Sequence, residues 1–110
     1  MSVNKELIKG STSILILSLL QRKEMYGYEM INEIDLKSSG IFSFKEGTLY
    51  PILHGLESDG IIESYWEEGE TKRKRKYYRI TNKGLGYLKD KKEEWNIFKN
   101  AVDTVIWEGK

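Results

Sequence analysis

The stretch from Glu46 to Ile80 leaves this chain few folds to choose from. In EGTLYPILHGLESDGII, residues 46 to 62, Leu49, Ile52, Leu53 and Leu56 recur at helical spacing. One helix face is therefore buried, and Thr48, Tyr50, His54, Glu57 and Ser58 are left for other surfaces. Asp59-Gly60 supplies the stop. IIESYW (61–66) and KYYRI (76–80) then read as two β-rich runs joined by a polar connection carrying Lys72, Arg73, Lys74 and Arg75. Helix, strand, basic loop, strand is the outline of a winged helix-turn-helix, in which the helix enters a DNA groove and the cationic loop follows the phosphates. The expected fold class is mainly α with a small β-hairpin. A winged helix-turn-helix over residues 1–80 is followed by a long dimerisation helix over 81–110, the two forming one compact unit.

Pro51 sharpens the boundary of the central helix. Proline inside a helix removes a hydrogen bond and clashes with the preceding turn, but is tolerated in the first turn. This places the helix start near Gly47 or Thr48 and leaves Tyr50-Pro51 near the N-terminal end, where a recognition helix carries its base-contacting side chains.

Upstream, residues 4–22 read as a helix that is apolar nearly all round, so burial on two sides is expected: one against its own domain, the other, through Leu15, against a second subunit. The apolar run Ile14–Leu20 is too short to span a bilayer and lacks a cleavage signature, so neither a membrane anchor nor a secretion signal is expected. MYGYEMINEIDLKSS (25–39) is a second helix starting near Tyr26 or Gly27, with Tyr26, Met30, Ile31 and Ile34 inward and Ser38-Ser39-Gly40 as its stop. The connection 41–45 has helix-turn-helix length, and Phe42 and Phe44 cap the core.

Downstream, Thr81 can cap one long helix running to Trp107 despite Gly84 and Gly86. Leu88, Trp95 and Val102 are seven apart, as are Phe98 and Val105 in an offset register, and Lys91 breaks the seam once. Such a stripe at the end of a small domain calls for a partner helix.

Composition limits the alternatives. A chain of 110 residues holds one core. The net charge is only +1, from 18 basic and 17 acidic residues, so nucleic-acid binding must be argued from where charges sit. Glu63, Glu67, Glu68 and Glu70 precede five consecutive bases, Lys72 to Lys76. The absence of cysteine removes disulfides, thiolate catalysis and the common zinc frameworks, and fits a reducing cytoplasm. His54, the single histidine, lies three residues from Glu57, a chance-level pair, and no nucleophile–base constellation is present, so neither an enzyme, a metal site nor a cofactor is expected. A winged-helix module used only for protein contact, without a DNA role, stays open.

YGYEM (26–30), EGTLYPILHGLESDGII (46–62) and RKYYRITNKG (75–84) together resemble the PadR family of transcriptional regulators, in its compact subfamily with a single C-terminal helix. The resemblance implies a cytoplasmic homodimeric repressor of double-stranded operator DNA, dimerised through its last and first helices and released by small aromatic or drug-like molecules. Carried over by position, Thr48 and Tyr50 match recognition-helix residues, Lys72 to Arg75 the basic wing, and Tyr28 a backbone-contacting tyrosine; Lys45, just ahead of the recognition helix, joins them. The dimer face falls to Leu15, Leu88, Trp95, Phe98, Val102 and Val105. Trp95 either packs that interface or stacks a flat ligand at its centre, with Phe98 and Ile16 on the same wall. Trp66, Trp107, Tyr77 and Tyr78 are expected to pack. The acids before the wing depart from a purely basic pattern and weaken its pull on phosphate.

Overall fold

The computed structural model describes residues 5–69 and 73–108, and for residues 5–10 the backbone alone. Helix α1 (Lys5–Arg22) leads through β1 (Met25–Tyr26) into α2 (Gly27–Lys37); α3 (Glu46–Ser58), β2 (Ile62–Glu68), β3 (Lys74–Ile80) and α4 (Asn82–Trp107) follow. Among the described residues no helix is long and apolar enough to cross a membrane.

Along residues 11–22 helix α1 buries one side in its own chain, while Ile14, Leu15 and Ser18 are only partly covered. It packs on α4, β3 and α2, which enclose Ile16, Leu17, Leu19 and Leu20. Ile16 is 0% exposed; it is a core residue and cannot form the wall of a site between two copies. Leu15 stays partly exposed at the edge of the core.

Helix α2 stops where Ser39 and Gly40 take positive φ, 53° and 81°, and the Gly40 amide returns to the Asp35 carbonyl at 2.8 Å. The Ser38 hydroxyl accepts from the Phe42 amide at 3.0 Å. This turns the chain so that Phe44 is buried and Phe42 stacks on it at 6.3 Å between centroids.

Helix α3 begins at Glu46, slightly ahead of the start inferred from Pro51. Pro51 therefore sits in the second turn, where the Gly47 carbonyl cannot receive the usual bond from residue 51. Gly47 and Pro51 are both solvent-exposed, so water can serve that carbonyl. Leu49, Leu53 and Leu56 form the buried face.

The hairpin is longer than the two β-rich runs suggested, pairing Ile62 with Ile80 through to Glu68 with Lys74. It is also part of a three-stranded sheet of order β1-β3-β2. Met25 pairs with Tyr78 and Tyr26 with Tyr77; a two-residue strand is too short to leave an alternating pattern in sequence.

Helix α4 is anchored at its first turn. The Thr81 hydroxyl accepts from the Gly84 amide at 3.0 Å and donates to the Gly60 carbonyl at 2.7 Å, while the Thr81 amide reaches the Ile61 carbonyl at 3.1 Å. One turn on, Leu88 is 1% exposed. It closes the core of its own chain and so is not available to a dimer face. Past Lys92, which reaches Gln21 on α1 at 3.3 Å, the helix leaves the body and stretches the molecule to 62 × 32 × 21 Å.

Candidate nucleic-acid interface

Burial of Leu49, Leu53 and Leu56 turns Thr48, Pro51 and His54 outward on the opposite side of α3. Lys45 stands exposed at the N-cap of the same helix. Glu46 occupies the first turn, where the helix dipole favours a carboxylate. Beside this face lies the exposed Tyr28, in the first turn of α2. Of these positions Tyr28, Glu46 and His54 line a cleft of roughly 690 Å³ between α3 and the wing, while Lys45, Thr48 and Pro51 lie outside it. Its walls include Tyr28, Tyr50 and His54 on one side and Arg73, Lys74, Arg75 and Lys76 on the other. Lys72 lies outside the described residues.

Tyr50 is half-buried rather than fully presented. A Cβ on Gly27 would lie 2.6 Å from its hydroxyl oxygen and 2.8 Å from Cζ, so the ring is seated against the backbone where α2 begins. Burial, with Glu46 nearby, raises the Tyr50 pKa above the ordinary tyrosine value. Gly27→Ala is expected to cost about 1–3 kcal/mol by overpacking this seat. The loss should largely vanish in a Tyr50→Leu background, and thermal unfolding of the double-mutant cycle measures that coupling.

The wing is less cationic than its basic run. Glu67 is paired in register with Arg75, and Glu68 with Lys74, so opposite charges face each other across the hairpin. Lys76 is partly drawn into structure: its ammonium lies 3.6 Å from Glu57 and 5.5 Å from the Tyr78 ring centroid. Glu57 also accepts from Ser64 on β2, tying the recognition-side helix to the sheet.

Tyr77 and Tyr78 point to opposite faces. Tyr78 is buried in the core. Tyr77 stands in a ladder on the outer face: Arg75 lies 4.5 Å from the Tyr26 ring centroid, Tyr26 meets Tyr77 edge-on at 5.4 Å, and Tyr77 stacks on Tyr65 at 5.8 Å. Arg79 covers Tyr65 at 5.0 Å. The Tyr65 hydroxyl donates to Glu24, which pushes its pKa up to about 12. A raised tyrosine pKa means this tie is whole below about pH 10 and is lost as pH climbs through about 12. Spectroscopic titration should accordingly show late-ionising tyrosine absorbance, to which Tyr50 and Tyr78 also contribute, and Tyr65→Phe should remove one tyrosine's share of it.

Trp66 does not pack. Its side of β2 is shared with Ile62 and Ser64, but the strand runs past the core, and Trp66 is 65% exposed on the lip of the cleft. Sequence alternation places it in phase with the inward set; what it lacks is any apolar partner farther along the hairpin.

On α4, Trp95 is 44% and Phe98 59% exposed, their rings 6.2 Å apart. Val102, Val105, Ile106 and Trp107 continue the apolar surface into solvent.

Comparison with known proteins agrees with this fold. The family model described as the transcriptional regulator PadR-like family matches residues 16–90. A transcriptional regulator from Clostridium thermocellum superposes with a TM-score of 0.87 at 38% identity, over 94% of this chain and 98% of that one. A PadR-like transcriptional regulator from Bacillus cereus gives 0.82 at 30% identity, over 93% and 97%. An uncharacterised protein of Lysinibacillus sphaericus is 39% identical over 101 residues, spanning 92% of this chain and 93% of that protein.

Proposed function

Because the chain belongs to the PadR-like family of transcriptional regulators, we propose that it is a homodimeric repressor acting on operator DNA in the cytoplasm and released by a small aromatic molecule. The observation that carries the DNA part is the convergence of the exposed face of α3 and the wing on one open cleft. Thr48, Tyr50 and Lys45 are assigned to the groove, and Tyr28 and Lys72 to Arg75 to the phosphate backbone.

The dimer rests on a different observation. Trp95, Phe98, Val102 and Val105 form an exposed apolar stripe outside the body of the chain, the kind of surface that a partner covers. A second α4 against this stripe buries it and sets two α3 helices at a fixed spacing, as a two-fold operator requires. The exposed Trp95–Phe98 pair offers flat surface for an aromatic effector at that junction.

The opposed Glu67–Arg75 and Glu68–Lys74 pairs favour a second reading, in which the wing meets a protein and not DNA. A gel shift with duplex from upstream of the protein's own gene, run at two salt concentrations beside sedimentation velocity, separates the two. A dimer with salt-dependent binding supports the repressor; a monomer that shifts no fragment removes it. For the effector, planar aromatic compounds should quench tryptophan emission in the wild type and fail to do so in Trp95→Ala while sedimentation still shows a dimer.

A further inference from the structure

We infer that Trp66 is a nucleic-acid contact, its indole packing on the deoxyribose faces of the DNA backbone while the neighbouring wing cations take the flanking phosphates. This rests on the DNA-binding reading and adds a residue to it. An indole 65% exposed on a strand presents a large flat apolar surface at the lip of the cleft. Among the described residues, Trp66 pairs across the hairpin with Lys76 and borders the cleft opposite Tyr50 and His54.

The chemistry of the surroundings selects the occupant. Among the described residues Arg73, Lys74, Arg75 and Lys76 line the same cleft with one carboxylate, Glu46; Lys76 is partly held by Glu57 and Arg75 by the Tyr26 ring, which leaves Arg73 and Lys74 the freer cations. A partner that suits both a cation cluster and a flat apolar ring must alternate anionic and apolar groups at short intervals. A nucleic-acid strand does this with phosphate and sugar in every residue. An apolar protein surface would leave the cations unanswered, and a lone anion would leave the indole wet. Contact of this kind carries no base information, so it holds on any duplex.

The test uses the full-length chain with two 30-base-pair duplexes, one from upstream of its own gene and one of random sequence at low salt, read by fluorescence anisotropy on labelled DNA. Trp66→Ala is expected to weaken binding to both by about tenfold through the apolar area it no longer buries, and Trp66→Phe to recover most of the loss. The slope of log affinity against log salt should stay at the wild-type value, because no charge is removed. The emission difference between wild type and Trp66→Phe should be quenched when duplex is added, and thermal midpoints should match. Wild-type affinity in Trp66→Ala, or an emission difference blind to DNA, overturns the inference while leaving the DNA-binding reading intact. A loss of affinity that tracks a fall in thermal midpoint assigns Trp66 to folding and overturns it too. A wild type that binds neither duplex removes both readings.

Discussion

Gly84→Ala is expected to lower the thermal unfolding midpoint by more than about 10 °C, whereas Gly86→Ala, two residues on, should leave it level or raise it. The contrast is steric. A Cβ on Gly84 would stand 2.1 Å from the Ile61 carbonyl oxygen and 2.7 Å from Ile80 Cγ1. The first neighbour is backbone at the start of the hairpin, so no side-chain rotation relieves it. The helix must retreat. Retreat lengthens the Thr81 bonds to Gly60 and Ile61 and draws Leu88 out of the core it closes. Overpacking of about 1–3 kcal/mol and weakened hydrogen bonds, about 0.5–1.5 kcal/mol each, then combine against a total stability of only about 5–15 kcal/mol. A Cβ on Gly86 meets nothing within 4 Å, so replacing it recovers helix propensity, about 0.5–1 kcal/mol. Equal midpoints for the two variants would mean that α4 is not clamped to the hairpin at Gly84.

What sequence reveals here is set by how local the determinant is. The helix at 46–58 and the hairpin after it are written in neighbouring residues: the Leu49–Leu53–Leu56 spacing, the Asp59-Gly60 stop and the alternation around Tyr77 and Tyr78. Thr81 as a cap needed only a hydroxyl before a helical run. Leu88 and Trp95 share a seven-residue repeat, yet one is buried within the chain and the other is exposed, because periodicity marks a face and not what covers it. The same gap explains Ile16. Its helix is expected to be buried on two sides; one of them is filled by α4, β3 and α2 of the same chain, and Ile16 lies on that side. Trp66 fails in the opposite sense: it keeps strand phase, but the hairpin outruns the core. Lys76 shows the intermediate case, a member of a basic run half-spent on Glu57.

Replacing Lys72, Arg73, Lys74 and Arg75 together by glutamine should weaken DNA binding by at least about a hundredfold and flatten its salt dependence. Each phosphate neutralised contributes about 0.9 to the slope of log affinity against log salt. The proposed dimer would carry two wings and so lose up to eight charges. If half of them sit on phosphates, the slope falls by about 3.6, and each lost contact removes a similar increment of affinity at low salt. The fold should tolerate the change, since Arg73, Lys74 and Arg75 are exposed and surface substitutions of this kind usually cost within about 0.5 kcal/mol. Arg75 is the partial exception, because its guanidinium covers Tyr26, a contact worth about 0.5–1 kcal/mol at the surface. The acids give the matching result of opposite sign. Glu67 and Glu68 stand in register with Arg75 and Lys74, so Glu67→Gln with Glu68→Gln should strengthen binding several-fold at low salt and lose that advantage as salt screens the wing. Opposite shifts from the two sets, with thermal midpoints held, locate the phosphate contact on the hairpin. A slope unchanged in both variants would move the DNA-binding surface off the wing altogether and leave α3 to account for it alone.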